Sequence, residues 1–279
     1  MTRRRRLVYV LVLVAMPFLG LGARASADEE SRLDMVLKRD KLIVATYSTS
    51  PPLCFKDEKG DLVGFEIDLV RIIAAGLLGD PNKVEFLIVQ SEGRFPAVLS
   101  GKADFGIAST TIYPERAVRV AFTSPYMDSG TGLIAKKEFK ASSIDEMNKE
   151  QFTIGGKNNP QNAERAQKFV PKMKTKWFDT DNALLLAVKG GILTVAQTDI
   201  PIAKWMAAKN LDIKVLPFTF GSMANNAIFM KPGDFKWWLF LDTMVKEMTT
   251  GSRYDEYKEI FHKWFGTNPP PQRFYTTGK

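Results

Sequence analysis

The run Asp104-Phe-Gly-Ile-Ala-Ser-Thr-Thr-Ile-Tyr-Pro-Glu-Arg116, followed by Phe122-Thr-Ser-Pro-Tyr126, concentrates the most suggestive chemistry in this chain. Residues 104–108 read as a short apolar strand. The strand runs into three consecutive hydroxyl residues, Ser109, Thr110 and Thr111, and then into a Pro-Glu-Arg turn that presents the Arg116 guanidinium. Free backbone N–H groups at a strand-to-helix turn, hydroxyl donors and an arginine fork together suit a small carboxylate. Plainer uses stand beside that one. Arg116 can cap nearby carbonyls or pair with Glu115 at the surface, and Ser109 and Thr110 can satisfy their own turn.

Such a turn needs a sheet behind it. A strand signal over 41–46 precedes an amphipathic helix over 67–78, with apolar residues at 67, 69, 70, 73 and 77. A second strand over 84–89, a helix over 94–100 and the strand at 104–108 complete the first set. Strands alternating with helices predict βαβ units, with parallel sheets covered on both faces. The pattern restarts with extended segments at 132–136 and 152–154 and a helix over 160–169, opened by Pro160. Strands at 176–178 and 193–197 alternate with helices at 181–188 and 200–209. Strand-like runs at 213–216 and 226–230 precede two closing helices over 234–248 and 254–265. The organisation predicted is two similar α/β lobes: 28–131 plus 227–279, and an inserted 132–226. The β-rich segments at 130–136 and 224–230 cross between them. Small ligands favour clefts between domains and the carboxyl ends of parallel strands, so the inter-lobe cleft is the expected site.

The first 27 residues read as an address. Arg3 to Arg6 form a positive start, 7–22 an apolar core, and Ala25-Ser26-Ala27 a small-residue cleavage site, predicting a cleaved signal peptide. The apolar run falls short of the roughly 20 residues that span a bilayer, and Pro17 interrupts it. The leader holds five of the 39 basic residues and no acid, so the mature chain carries 34 against 31 acids, about +3 rather than +8. No long basic run survives cleavage, which speaks against nucleic-acid binding. Cys54 is the only cysteine and His262 the only histidine. An intrachain disulfide is therefore excluded, and neither a transition-metal site nor any cofactor is expected.

Four segments in order resemble the extracellular solute-binding proteins of family 3, the polar amino-acid receptors of ABC importers. They are Gly64-Phe-Glu-Ile-Asp-Leu-Val70 with Ile73-Ala74, the 104–116 run, Thr198-Asp-Ile-Pro-Ile-Ala203, and Lys263-Trp-Phe-Gly266. The resemblance spans essentially the whole mature chain. It implies a two-lobed periplasmic-binding-protein fold (type II), each lobe a mostly parallel sheet flanked by helices, with two crossing strands as hinge. It also implies that Ser109, Thr111 and Arg116 hold an amino acid's α-carboxylate and that Asp199, on the other lobe, takes the α-amino group. A zwitterion in a partly dry cleft must keep both charges paired, so partners on different lobes reward closure. Asp199 also suits the simpler role of N-cap for the helix that follows it. Glu66 and Asp68, acids in a first helical turn, read as compensation of the helix dipole.

The departures from the family pattern bear on the ligand's side chain. The two places where such receptors carry sandwiching aromatics fall on Ser50 and Ser91, while Tyr47 can supply one aromatic face and a polar handle. The family's Gly-Thr-Thr-like turn is replaced by Gly156-Lys-Asn-Asn-Pro-Gln-Asn-Ala-Glu164, so donors at that helix start come from Gln161 and Asn162, or the loop is merely capped by Asn159. Gly191-Ile-Leu-Thr194 replaces a frequent Gly-Arg-x-Asp. Ser91-Glu-Gly-Arg-Phe-Pro96 resembles the turn of acidic amino-acid receptors, with Arg94 in place, but Tyr47 stands where those receptors carry an arginine. The resemblance implies a periplasmic, monomeric, non-enzymatic receptor that passes an amino acid or close analogue to an inner-membrane permease. The alternative is an exported dehydratase of the cyclohexadienyl type on the same fold, for which Glu92 is the candidate acid.

Overall fold

A computed structural model describes residues 30–269. The stretch read as a signal peptide, its expected cleavage point and the last ten residues lie outside the described residues. The chain opens with α1 (Arg32–Arg39), where the Ser31 hydroxyl accepts from the Leu33 N–H, and enters β1 (Leu42–Thr46). A small antiparallel sheet follows: β2 (Thr49–Ser50), β3 (Cys54–Lys56) and β4 (Leu62–Val63). Then come α2 (Phe65–Leu78), β5 (Val84–Ile88), α3 (Arg94–Leu99), β6 (Phe105–Gly106) and α4 (Pro114–Ala117). β1 pairs in parallel with β5 on one side and β6 on the other, the arrangement that the strand–helix alternation predicts.

The long β7 (Ala121–Lys136) carries the chain into its second set of elements. These are α5 (Ile144–Met147), β8 (Thr153–Lys157), α6 (Pro160–Phe169), β9 (Lys174–Phe178), α7 (Asp181–Lys189), β10 (Val195–Asp199), α8 (Ile200–Lys209) and β11 (Ile213–Val215). β12 (Phe220–Met230) returns, and α9 (Phe235–Thr249) and α10 (Tyr254–Phe265) close the fold. β8 pairs in parallel with β9 and β10.

The two sets share one hydrogen-bonded path, β5-β1-β6-β12-β7-β10-β8-β9. β7 makes this possible by being 16 residues long. Its first part pairs antiparallel with β12, from Ala121 opposite Met230 to Ser129 opposite Ala224. Its second part pairs with β10, from Thr131 opposite Asp199 to Ala135 opposite Val195. β12 and β7 are the two crossing strands.

The closing helices are fastened to α2. Asp68 accepts from Lys263 Nζ at 2.7 Å and from Trp264 Nε1 at 2.8 Å, so two residues of the Lys-Trp-Phe-Gly motif act as a clasp. Phe65 packs among Tyr126, Tyr257, Phe261 and Phe265. Gly64 must be glycine. Its φ is 136°, and an added Cβ would lie 2.2 Å from the Leu53 carbonyl oxygen. Cys54 is a buried free thiol.

Candidate functional site

The near wall of the cleft is built from the start of α2 outward. Glu66 is fully buried and accepts from the Ser109 N–H at 2.8 Å and from the Tyr126 hydroxyl. Burial pushes its carboxyl up, while those hydrogen bonds and Cys54 pull the other way. The dipole reading of Glu66 thus gives way to a more specific role, fixing the turn after β6. Ser109 there sits at φ 46°, a left-handed conformation costing a non-glycine residue about 1 kcal/mol. The next residues are bonded to β12. Ala227 N–H donates to Thr110 O (3.0 Å), Ile112 N–H to Asn225 O (2.9 Å), and Thr111 Oγ1 to Asn226 Oδ1 (3.3 Å). Arg116, in α4, donates from Nη1 back to Thr111 O at 2.8 Å. Turn and guanidinium therefore form one unit. Arg116 is only 6% exposed, and burial, with Arg94 nearby, lowers its pKa to about 9.

The far wall is built on β8, β10 and the helices they feed. Asp199 ends β10 at the N-cap position of α8, but its side chain makes no capping bond. Among the described residues this carboxylate, half-buried, has no hydrogen-bond or ion-pair partner. Burial raises its pKa; Lys157 opposes the rise and Asp181 adds to it. Asp181, fully buried at the start of α7, is saturated: it accepts from Ser50 Oγ (2.6 Å), Thr198 Oγ1 (2.7 Å) and Lys157 Nζ (2.9 Å). Burial disfavours the Lys157 ammonium, yet Asp181 beside it holds its pKa above the ordinary lysine value. Asn159 caps α6 by accepting from the Asn162 N–H at 2.9 Å, and Gln197 Nε2 donates to Asn162 O at 2.9 Å.

Between the walls lies a narrow polar cavity of about 40 Å³, room for no more than a few waters, so in this structure the walls stand nearly closed on one another. Ser109, Thr111, Arg116, Asn162 and Asp199 line it. Tyr47, Ser50, Ser91 and Gln161 stand one step behind the lining, each bonded to a charged side chain. Ser50 donates to Asp181; the Tyr47 hydroxyl and Ser91 accept from Arg94; Gln161 accepts from Arg116 at 3.3 Å. Glu92 is exposed and outside the lining. Residues the sequence left without a site role also line the cavity, chiefly Arg94, Lys157, Arg165 and Gln197. Arg94 had a signal, the acidic-receptor turn. Lys157 and Arg165 had none, because the loop and helix that carry them depart from the family pattern.

The model of the bacterial extracellular solute-binding proteins, family 3, matches residues 42–267. The chain belongs to that family. The glutamine-binding protein of a Bacillus subtilis (strain 168) ABC transporter is 28% identical over 254 residues, which cover 89% of this chain and 90% of that one. A glutamine-binding protein of Geobacillus stearothermophilus is 31% identical over 189 residues, 67% of this chain and 72% of its own. Among solved structures, an ancestral amino acid-binding protein, a precursor of cyclohexadienyl dehydratase, superposes with a TM-score of 0.77 at 31% identity. It covers 84% of this chain and 100% of its own.

In this family 3 protein the two walls touch across the cleft. Besides the Ser50–Asp181 and Arg116–Gln161 bonds, Arg165 Nη2 donates to the Tyr113 hydroxyl at 2.5 Å. The Lys157 ammonium lies 4.7 Å from the Tyr47 ring centroid. Among the described residues no group of His, Cys, Asp and Glu could hold a metal ion, and no helix is long and apolar enough to cross a membrane.

Proposed function

We propose that this protein is the periplasmic receptor of an ABC importer, capturing an amino acid or close analogue between two lobes and passing it to an inner-membrane permease. One observation carries the reading. Arg116 and Asp199 line a single cavity from opposite walls, and Asp199 has no hydrogen-bond or ion-pair partner among the described residues. A carboxylate on Arg116, with Ser109 and Thr111 beside it, and an ammonium on Asp199 leave neither ligand charge stranded. The lobes are 28–131 plus 227–279 and 132–226, the leader is cleaved after Ala27, and the mature chain acts as a monomer without catalysis.

A thermal-shift screen of the mature protein against amino acids, small amides and ureas tests this. A true ligand at about 100 times its dissociation constant adds roughly 2.7 kcal/mol of stability. Failure of every amino acid alongside success of a non-zwitterionic solute overturns the reading. Prephenate and arogenate incubated with the protein stay unchanged in absorbance; their loss would mark it as an enzyme instead.

A further inference from the structure

We propose that the ligand of this cavity carries a second anionic group, so that the site takes an α-amino acid with a negatively charged side chain in preference to its neutral amide. The inference rests on the amino-acid reading above and adds the charge of the side chain to it.

Four cations of the lining, Arg94, Arg116, Lys157 and Arg165, face one lining carboxylate, Asp199. Asp181 behind the wall is already bonded to Lys157. Among the described residues none of the three arginines has an acid within hydrogen-bond or ion-pair distance, although Asp199 acts on Arg116 and Arg165 from further off; each is held by neutral acceptors. Arg94 donates to the Tyr47 hydroxyl and to Ser91 Oγ at 3.1 Å, and Arg116 to Thr111 O and Gln161 Oε1. Arg165 donates to Asn162 Oδ1 at 3.0 Å and to the Tyr113 hydroxyl. Such acceptors fix the direction of a guanidinium without neutralising it. Arg94 and Arg116 are only 5% and 6% exposed, and the Nε atom of each is buried with no hydrogen-bond partner. Charges buried this deeply call for a counter-charge.

The way the walls meet makes the same demand. Each of two tyrosines bridges a cation from one wall to a cation from the other. The Tyr113 ring centroid lies 5.0 Å from the Arg116 guanidinium carbon and 5.6 Å from that of Arg165. The Tyr47 centroid lies 5.8 Å from Arg94 and 4.7 Å from the Lys157 ammonium. Bringing the walls together therefore brings like charges together. A neutral zwitterion consumes one cation and one acid and leaves that excess in place. A ligand with a second carboxylate reduces it, and so gains more from the closed arrangement than its amide does.

Titration calorimetry of the ligand-free protein compares glutamate and aspartate with glutamine and asparagine, and with glutarate and succinate, at low and high salt. The expected result is an acid-over-amide preference of about tenfold or more, shrinking with added salt. Arg165→Gln, at a half-buried position, should compress that ratio. Amides binding as tightly as their acids would overturn this inference while leaving the amino-acid reading intact. Glutarate matching glutamate would uphold the second anionic group and overturn the role of Asp199. No binding by any of the six, in a protein that another amino acid stabilises in the thermal-shift screen, overturns this inference alone; no response to any amino acid overturns both.

Discussion

The near and far walls of the cleft solve different problems. On the near wall the turn at 109–112 is fixed from three directions: by Glu66, by β12 and by Arg116. The Arg116 guanidinium is fixed with it, as suits a grip on the carboxylate that every amino acid carries. The far wall is built from side chains that hold one another, Asp181 with Lys157 and Asn162 with Arg165, and it leaves Asp199 unengaged. Its loop at 156–164 is also one of the places where the sequence departs from the family pattern. A near wall fixed around the carboxylate, opposite a far wall whose side chains differ around Asp199, is a way for one fold to serve many ligands.

The largest expected effect would break this division. Arg116→Ala and Asp199→Ala should each weaken binding by about 2–5 kcal/mol, because each strands a ligand charge; calorimetry showing near wild-type affinity for both removes the zwitterion model. Next in size is Glu66→Gln, which should lower stability by about 1–3 kcal/mol in urea unfolding, since an acceptor for the Ser109 N–H and the Tyr126 hydroxyl is lost or misdirected. A far-wall change such as Asn162→Ala should cost much less stability. Equal losses would mean the near wall is not the more firmly fixed one.

The pH dependence separates the walls further. On the zwitterion model it is the ionised form of Asp199 that binds the ammonium, so affinity should be full above its raised pKa and be lost as pH falls through it, by about tenfold per pH unit. This loss should begin above the ordinary carboxylate value of 3.8 and disappear in Asp199→Asn. The smallest effect belongs to Ser50→Ala. Removing the 2.6 Å bond to Asp181 should cost about 1 kcal/mol of ligand affinity and little stability of the ligand-free protein, if the bond holds the walls together.

Much of the fold was legible in the sequence, where local pattern and final structure share a cause. The helices at 160–169, 200–209 and 254–265 have the bounds that their proline, cap and apolar spacing predict. The full length of β7 was not legible, because Pro125 and polar residues around 128–131 interrupt its β pattern. The strand exists there because β12 and β10 supply its hydrogen bonds, a tertiary cause no window of sequence displays. The site divides in the same way. Arg116 and Asp199 are announced by their own turns. Lys157 and Arg165 enter the cavity only because α6 starts beside it, and the burial of Glu66 depends on a strand turn 43 residues away.

Through the bonds between residues 110–112 and Asn225–Ala227, the turn that would grip a carboxylate is spliced onto a crossing strand. The register of that strand slips between Asn226 and Ala227 and again before Phe229. Those irregular steps are where a strand twists most easily. Grip and joint are thus a single mechanical part. A substitution that stiffens β12 at Asn226 also re-aims Thr111, so selection acting on how readily the lobes swing cannot avoid acting on how tightly they hold.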